Sequence, residues 1–141
     1  VKAAPVASGQ SAQDVAKAIA RRDRARIIPT GAYALNALGL STQVPMNVVL
    51  LTDGAARKIK IGKRTITFKK TVPKNLATIG EISGLVIQAL KEIEKDYLTQ
   101  EEKTKLVVIL KKEKPLKLQH DIKLAPEWIR NIMKEALPEK Q

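Results

Sequence analysis

Helical and strand-like spacings of apolar residues alternate along this chain. From Ser11 to Arg22, Val15, Ala16, Ile19 and Ala20 fall on one face of a helix that Ser11 is placed to cap. Ile27 and Ile28 read as a short strand. Pro29 and Thr30 then open a helix of small residues (Ala32, Ala34, Ala37) that runs to Gly39. Thr30 is placed to accept from the free N–H groups of the first turn, and Gly39 to take the left-handed conformation that stops the helix. Ser41 to Pro45 form a linker. The apolar run Val48 to Leu51 follows, a strand expected at the centre of a sheet with both faces covered. Asp53-Gly54 then reads as a turn between strands.

Residues 57–70, RKIKIGKRTITFKK, read as a β-hairpin turning at Gly62-Lys63, where glycine in first place suits a type II′ turn. That register pairs Ile61 with Arg64, Ile59 with Ile66 and Lys58 with Thr67. Ile59, Ile61, Ile66 and Phe68 then share an apolar face, and Lys58, Lys60, Thr65, Thr67 and Lys69 share the wet one. Val72 to Asn75 break the strand. Ser83 is placed to cap a helix over 83–97 that buries Val86, Ile87, Leu90, Ile93 and Tyr97. Thr99 and Glu102 form a capping box for a helix over 99–112, carrying Leu106, Val107, Ile109 and Leu110. The short loop between these two predicts an antiparallel pair. Pro115 ends the second, a weaker helical segment spans Leu116 to Asp121, and Pro126 starts a last helix with Ile129, Ile132, Met133 and Leu137 as its stripe.

These elements predict an α+β fold: a small, mainly antiparallel sheet with a basic β-hairpin, packed against several helices. A long parallel sheet is not expected, since only the segment 30–45 reads as a crossover. At 141 residues one domain accounts for the length, expected over 11–141 after a flexible linker at 1–10. The opening Val1 reads as the start of a fragment, with a second domain expected upstream. With aromatic residues at 3%, the core must be built from Ile, Leu, Val and Ala.

Charge sharpens this picture. The net charge of +12 predicts attraction to a polyanion or to an acidic partner. Arg21, Arg22, Arg24 and Arg26 crowd around one acid, Asp23, at a helix end. Cations there complement the helix dipole, yet four exceed what capping needs, and Arg grips phosphate in a bidentate fork. From Gly54 to Gly80 there are eight basic residues and no acid. Lys58, Lys60, Lys63, Arg64, Lys69 and Lys70 therefore form the second candidate surface, for phosphate contacts or for a protein partner. The same lysines also serve an edge strand as protection against aggregation, and both readings stand. With no aromatic on that face, base stacking is not expected.

Catalytic chemistry is sparse. There is no cysteine, which removes disulfides, thiol catalysis and a cysteine zinc site, and fits a cytoplasmic location. One histidine, His120, stands beside Asp121 in a polar stretch and reads as a surface residue. No Walker loop, dinucleotide fingerprint or paired-acid magnesium motif occurs. No cofactor or metal is expected, and no apolar run reaches the ~20 residues of a membrane span.

Several segments together carry a resemblance. They are VAKAIARRD at 15–23, PTGAYALNALGLSTQVP at 29–45, VVLLTDG at 48–54, RKIKIGKRTITFKK at 57–70, NLA at 75–77, SGLVIQAL at 83–90 and LAPEWI at 124–129. The chain resembles the AbiEi-like antitoxins of type IV toxin–antitoxin systems and related bacterial transcriptional regulators. The most specific matches hold Gly31, Tyr33, Asn36, Gly39, Pro45, Thr52, Asp53 and Gly54, which the resemblance marks as structural motif residues. The resemblance implies a C-terminal domain that counters a nucleotidyltransferase-type toxin or acts on its nucleic-acid substrate, without enzymatic activity. Members usually carry an N-terminal winged helix that binds operator DNA. Residues 1–141 do not include that module, which is the domain expected upstream, so any DNA contact expected of this domain itself is through phosphates.

Overall fold

In the computed structural model, which describes residues 8–43 and 45–138, six helices pack with a four-stranded mixed sheet. The fold is α+β. Helix α1 (Ser8–Asp23) leads into β1 (Ile27–Pro29), α2 (Gly31–Ala37) and β2 (Asn47–Thr52). The hairpin β3 (Arg57–Ile61) and β4 (Arg64–Lys70) follows, then a 3-10 turn (Pro73–Leu76) and α3 (Glu81–Ile93). A second 3-10 turn (Lys95–Tyr97) and α4 (Gln100–Leu110), α5 (Pro115–Ile122) and α6 (Glu127–Lys134) complete it. Because α1 begins at Ser8, Ser11 lies inside the helix rather than at its cap, and residues 8–10 of the expected linker are helical. Residues 1–7 lie outside the described residues.

The strand order is β1-β2-β4-β3. Both outer pairings are antiparallel, and β2 runs parallel to β4. The crossover for that parallel pair is β3 itself. The chain skips one position on leaving β2, and the hairpin folds β4 back into the gap. The segment 30–45, the one stretch that could act as a crossover by its sequence, joins two antiparallel neighbours instead. The hairpin keeps the expected register, with Ile61 opposite Arg64 and Ile59 opposite Ile66. Gly62 at its turn has φ 60° while Lys63 stays at negative φ, as a type II′ turn requires.

Two apolar cores result. Val48 and Leu50 of β2, with Ile66 and Phe68 of β4, are buried against Ala16 of α1 and Tyr33 of α2. The larger core joins α3 to α6 through Val86, Leu90, Leu106, Leu110, Leu118, Ile129 and Met133. Only one face of β2 is fully buried: Val48, Leu50 and Thr52 alternate with half-covered Val49 and Leu51. The expectation of a strand covered on both sides is corrected accordingly.

Helix ends depart from their sequence signals where a distant group takes over. Thr30 makes no capping bond; its hydroxyl donates instead to the Val49 carbonyl at 3.0 Å, pinning α2 to β2. Gly39 stops α2 as expected, at φ 80°. Helix α3 starts at Glu81, and Ser83 sits inside it, donating from both its N–H and its hydroxyl to Glu113. The same helix ends at Ile93 because Glu94 turns to φ 74°, so Tyr97 lies in a separate turn and is 73% exposed. It is not part of a buried helical face. The Thr99–Glu102 capping box forms as expected.

Candidate nucleic-acid interface

Strand alternation fixes which cations share a surface. Lys58 and Lys60 of β3 face the same way as Thr65, Thr67 and Lys69 of β4 and Asn47 of β2, with α1 packed on the opposite face. All three lysines are exposed. Alternate residues on a strand stand roughly 6.8 Å apart, so Lys58 and Lys60 make a short row beside Lys69. Among the described residues none of the three forms an ion pair. Thr67 donates to Asn47 Oδ1 at 3.1 Å, which holds the centre of the surface in place. Over β3 and β4 this face offers ammonium groups beside hydroxyls, while in register Val49 and Leu51 of β2 and the buried Ile28 of β1 make its other half apolar.

The other candidate cations are dispersed. Lys63 lies exposed in the hairpin turn. Lys70 falls in register on the face that α1 covers, as does Arg64. Arg64 is half-buried: Nη2 donates to the Pro45 carbonyl at 3.1 Å, while Nε and Nη1 are buried without partners. Its reach goes to the 41–46 loop rather than outward. Beside it, the buried Tyr33 hydroxyl also lacks a partner, and burial raises its pKa above the ordinary 10.0. The Arg64 charge offsets part of that rise, and Asp14 adds to it.

The arginine cluster at the end of α1 divides by task. Arg24 takes φ 55°, letting the Ala25 N–H reach the Ala20 carbonyl at 2.9 Å and close the helix. Asp23 holds Arg22 at 3.2 Å and Arg57, the first residue of β3, at 3.1 Å. Arg26 donates to the Thr78 carbonyl at 2.6 Å, and Arg21 is exposed. This group sits where β1 and β3 begin, on the α1 side of the sheet. The structure therefore does not merge it with the lysine face. Arg57 was missed as a partner of Asp23, although strand alternation alone turns it away from Lys58.

The motif residues are structural. Asn36 Nδ2 donates to the Ser41 and Gln43 carbonyls, shaping the loop after α2. Pro45 supplies the carbonyl for Arg64. The buried Thr52 accepts from the Gly54 N–H, and Asp53 accepts from the Arg26 N–H at 2.8 Å. Gly31 starts α2 at φ 59°. Two carboxylates have roles that the sequence does not signal: Asp121, fully buried although it stands in a polar stretch, and Glu113. Both are spent on the N-terminus of α3. His120 Nδ1 lies 2.9 Å from Asp121 Oδ1, which the Ile79 N–H already occupies.

A cavity of about 280 Å³ lies between the two cores, walled by Ile27, Tyr33, Leu50 and Leu85, with Lys17, Arg26 and Glu81 as its charged members. Among the described residues no three His, Asp or Glu side chains gather as a metal site, and no helix is long and apolar enough to cross a membrane.

Fold and surface together define an α+β domain with exposed lysines on the β3–β4 half of one sheet face. The chain belongs to a family of unknown function, DUF6088, whose model matches residues 8–118 and so runs from α1 into α5. No curated protein and no solved structure matches it.

Proposed function

We propose that this domain is a non-enzymatic regulatory module that acts through the lysine face of its sheet. In line with its resemblance to AbiEi-like antitoxins, its target is a nucleotidyltransferase-type toxin or that toxin's nucleic-acid substrate in the bacterial cytoplasm. The observation that carries this reading is the set of exposed Lys58, Lys60 and Lys69 on one face of β3 and β4, unpaired and without an acid beside them among the described residues. A core-facing or merely edge-protecting role leaves no reason for Lys69, on an inner strand, to share it. Lys and Arg on such faces displace the counterions of a nucleic acid, a gain independent of sequence. The same face suits a second reading, in which the domain adds phosphate contacts to DNA binding by a transcriptional regulator.

Mobility shift with duplex DNA and with structured RNA, at two salt concentrations, separates these readings when run beside capture of a co-expressed toxin. Salt-sensitive RNA binding, lost on Lys58→Glu, Lys60→Glu and Lys69→Glu, supports action on the toxin's substrate. Duplex binding lost in the same variant supports the regulator reading. Capture of the toxin without nucleic-acid binding supports direct recognition. An unchanged triple variant in all three assays overturns the role of the face.

A further inference from the structure

The chain leaving β4 forms the 3-10 turn Pro73–Leu76 beside α3 and the α5–α6 corner, and a cleft of about 330 Å³ opens there. Its charged lining is entirely positive: Lys74 from the turn, Lys91 from α3, Lys123 from the corner and Arg130 from α6. Among the described residues none of these four is ion-paired. Gln88 and Asn75 add amide groups to the wall.

Arg130 is the fixed member. Its Nη2 donates to the Ala125 carbonyl at 3.1 Å, which ties the guanidinium to the corner, while its Nε is buried with no partner. Folded proteins rarely leave a buried charged donor unpaired, because water is forfeited and nothing replaces it. Four like charges drawn together from separate elements also repel one another, so folding alone does not favour the arrangement. An anion in the cleft relieves that repulsion. A guanidinium held in one orientation and flanked by mobile ammonium groups is the donor set that phosphate oxygens match.

We propose that this cleft binds a phosphate group and that it is a site separate from the lysine face of the sheet. The group belongs either to a small phosphorylated molecule or to a nucleic-acid backbone. Titration of the ¹⁵N-labelled chain with pyrophosphate, and separately with a short single-stranded oligonucleotide, follows the Arg130 Nε–H resonance directly. A saturable shift of that resonance is expected. In the Lys91→Glu/Lys123→Glu variant, which leaves the Arg130–Ala125 bond intact, the dissociation constant should rise at least about tenfold. The Lys58→Glu/Lys60→Glu/Lys69→Glu variant should bind as the parent does, whatever becomes of the function proposed for the sheet face. Saturation by pyrophosphate assigns the small-molecule source, and saturation by the oligonucleotide alone assigns the backbone. Absence of a saturable shift with either probe, parental affinity in the cleft variant, or loss of the shift in the sheet-face variant overturns the proposal.

Discussion

Asp121 shows how one buried acidic side chain can organise the start of a helix far from it in sequence. Its carboxylate accepts from the N–H groups of Ile79 at 2.9 Å and Gly80 at 2.8 Å, while Glu113 accepts from Ser83 at 2.9 Å. The free donors at the start of α3 are thereby satisfied by side chains 30 to 42 positions away, in place of a local cap. Asp121→Ala should cost about 3 kcal/mol, since it strands buried N–H groups that had a charged acceptor; urea unfolding measures it. A variant as stable as the parent would remove Asp121 from this role. Tyr33 is the opposite case, a buried hydroxyl with no partner. Tyr33→Phe should therefore change stability by less than about 1 kcal/mol at neutral pH, because no bond is lost. Burial, the larger influence, raises the Tyr33 pKa in the folded state, so the folded chain holds its proton after the unfolded chain has released it. Its contribution is present in full below the ordinary 10.0 and declines as pH climbs from there through the raised folded value. The parent should thus lose stability relative to Tyr33→Phe across that alkaline window, and unfolding curves at stepped pH read the difference.

At the scale of elements, what the sequence made legible is what short-range physics governs. The hairpin register follows from Gly62 and period-two alternation, and the structure keeps it residue for residue. The Thr99–Glu102 box is equally local. The parallel pairing of β2 with β4 was not legible, because it depends on β3 passing to the outside, and nothing near residues 53–56 encodes which strand lies between. The end of α3 at Glu94 escaped for a related reason: a non-glycine residue at φ 74° carries no sequence signal. Likewise the basic cleft draws on residues from 74 to 130, which only the packing of α3, α5 and α6 brings together. Leu50 and Ile87 test the two cores separately, one in the sheet and one in the helical layer, at 1% and 4% exposure. Leu50→Ala and Ile87→Ala should each cost about 2–5 kcal/mol by thermal or denaturant unfolding. Parental stability in either would move that residue out of its core.

At the scale of the whole molecule, the +12 charge is not one field but several surfaces with different freedom. The arginines near the end of α1 are partly committed: Arg22 and Arg57 to Asp23, and Arg26 to the Thr78 carbonyl. Lys58, Lys60 and Lys69 have no such commitments, and counterion release gives the difference a measurable form. Each phosphate neutralised on a duplex contributes about −0.9 to the slope of log affinity against log salt. If the sheet face is the contact surface, reversing its three lysines should remove about 2.7 from that slope, besides weakening binding at every salt concentration. Arg22→Gln should change the slope by less than one phosphate contact, since its charge is already shared with Asp23. Fluorescence anisotropy with labelled duplex across a salt series distinguishes these outcomes. An equal change per unit of charge altered, six in the triple variant against one in Arg22→Gln, would mean that the chain binds through its summed charge. In that case the polarity of the sheet face would reflect solvation of an open surface rather than recognition.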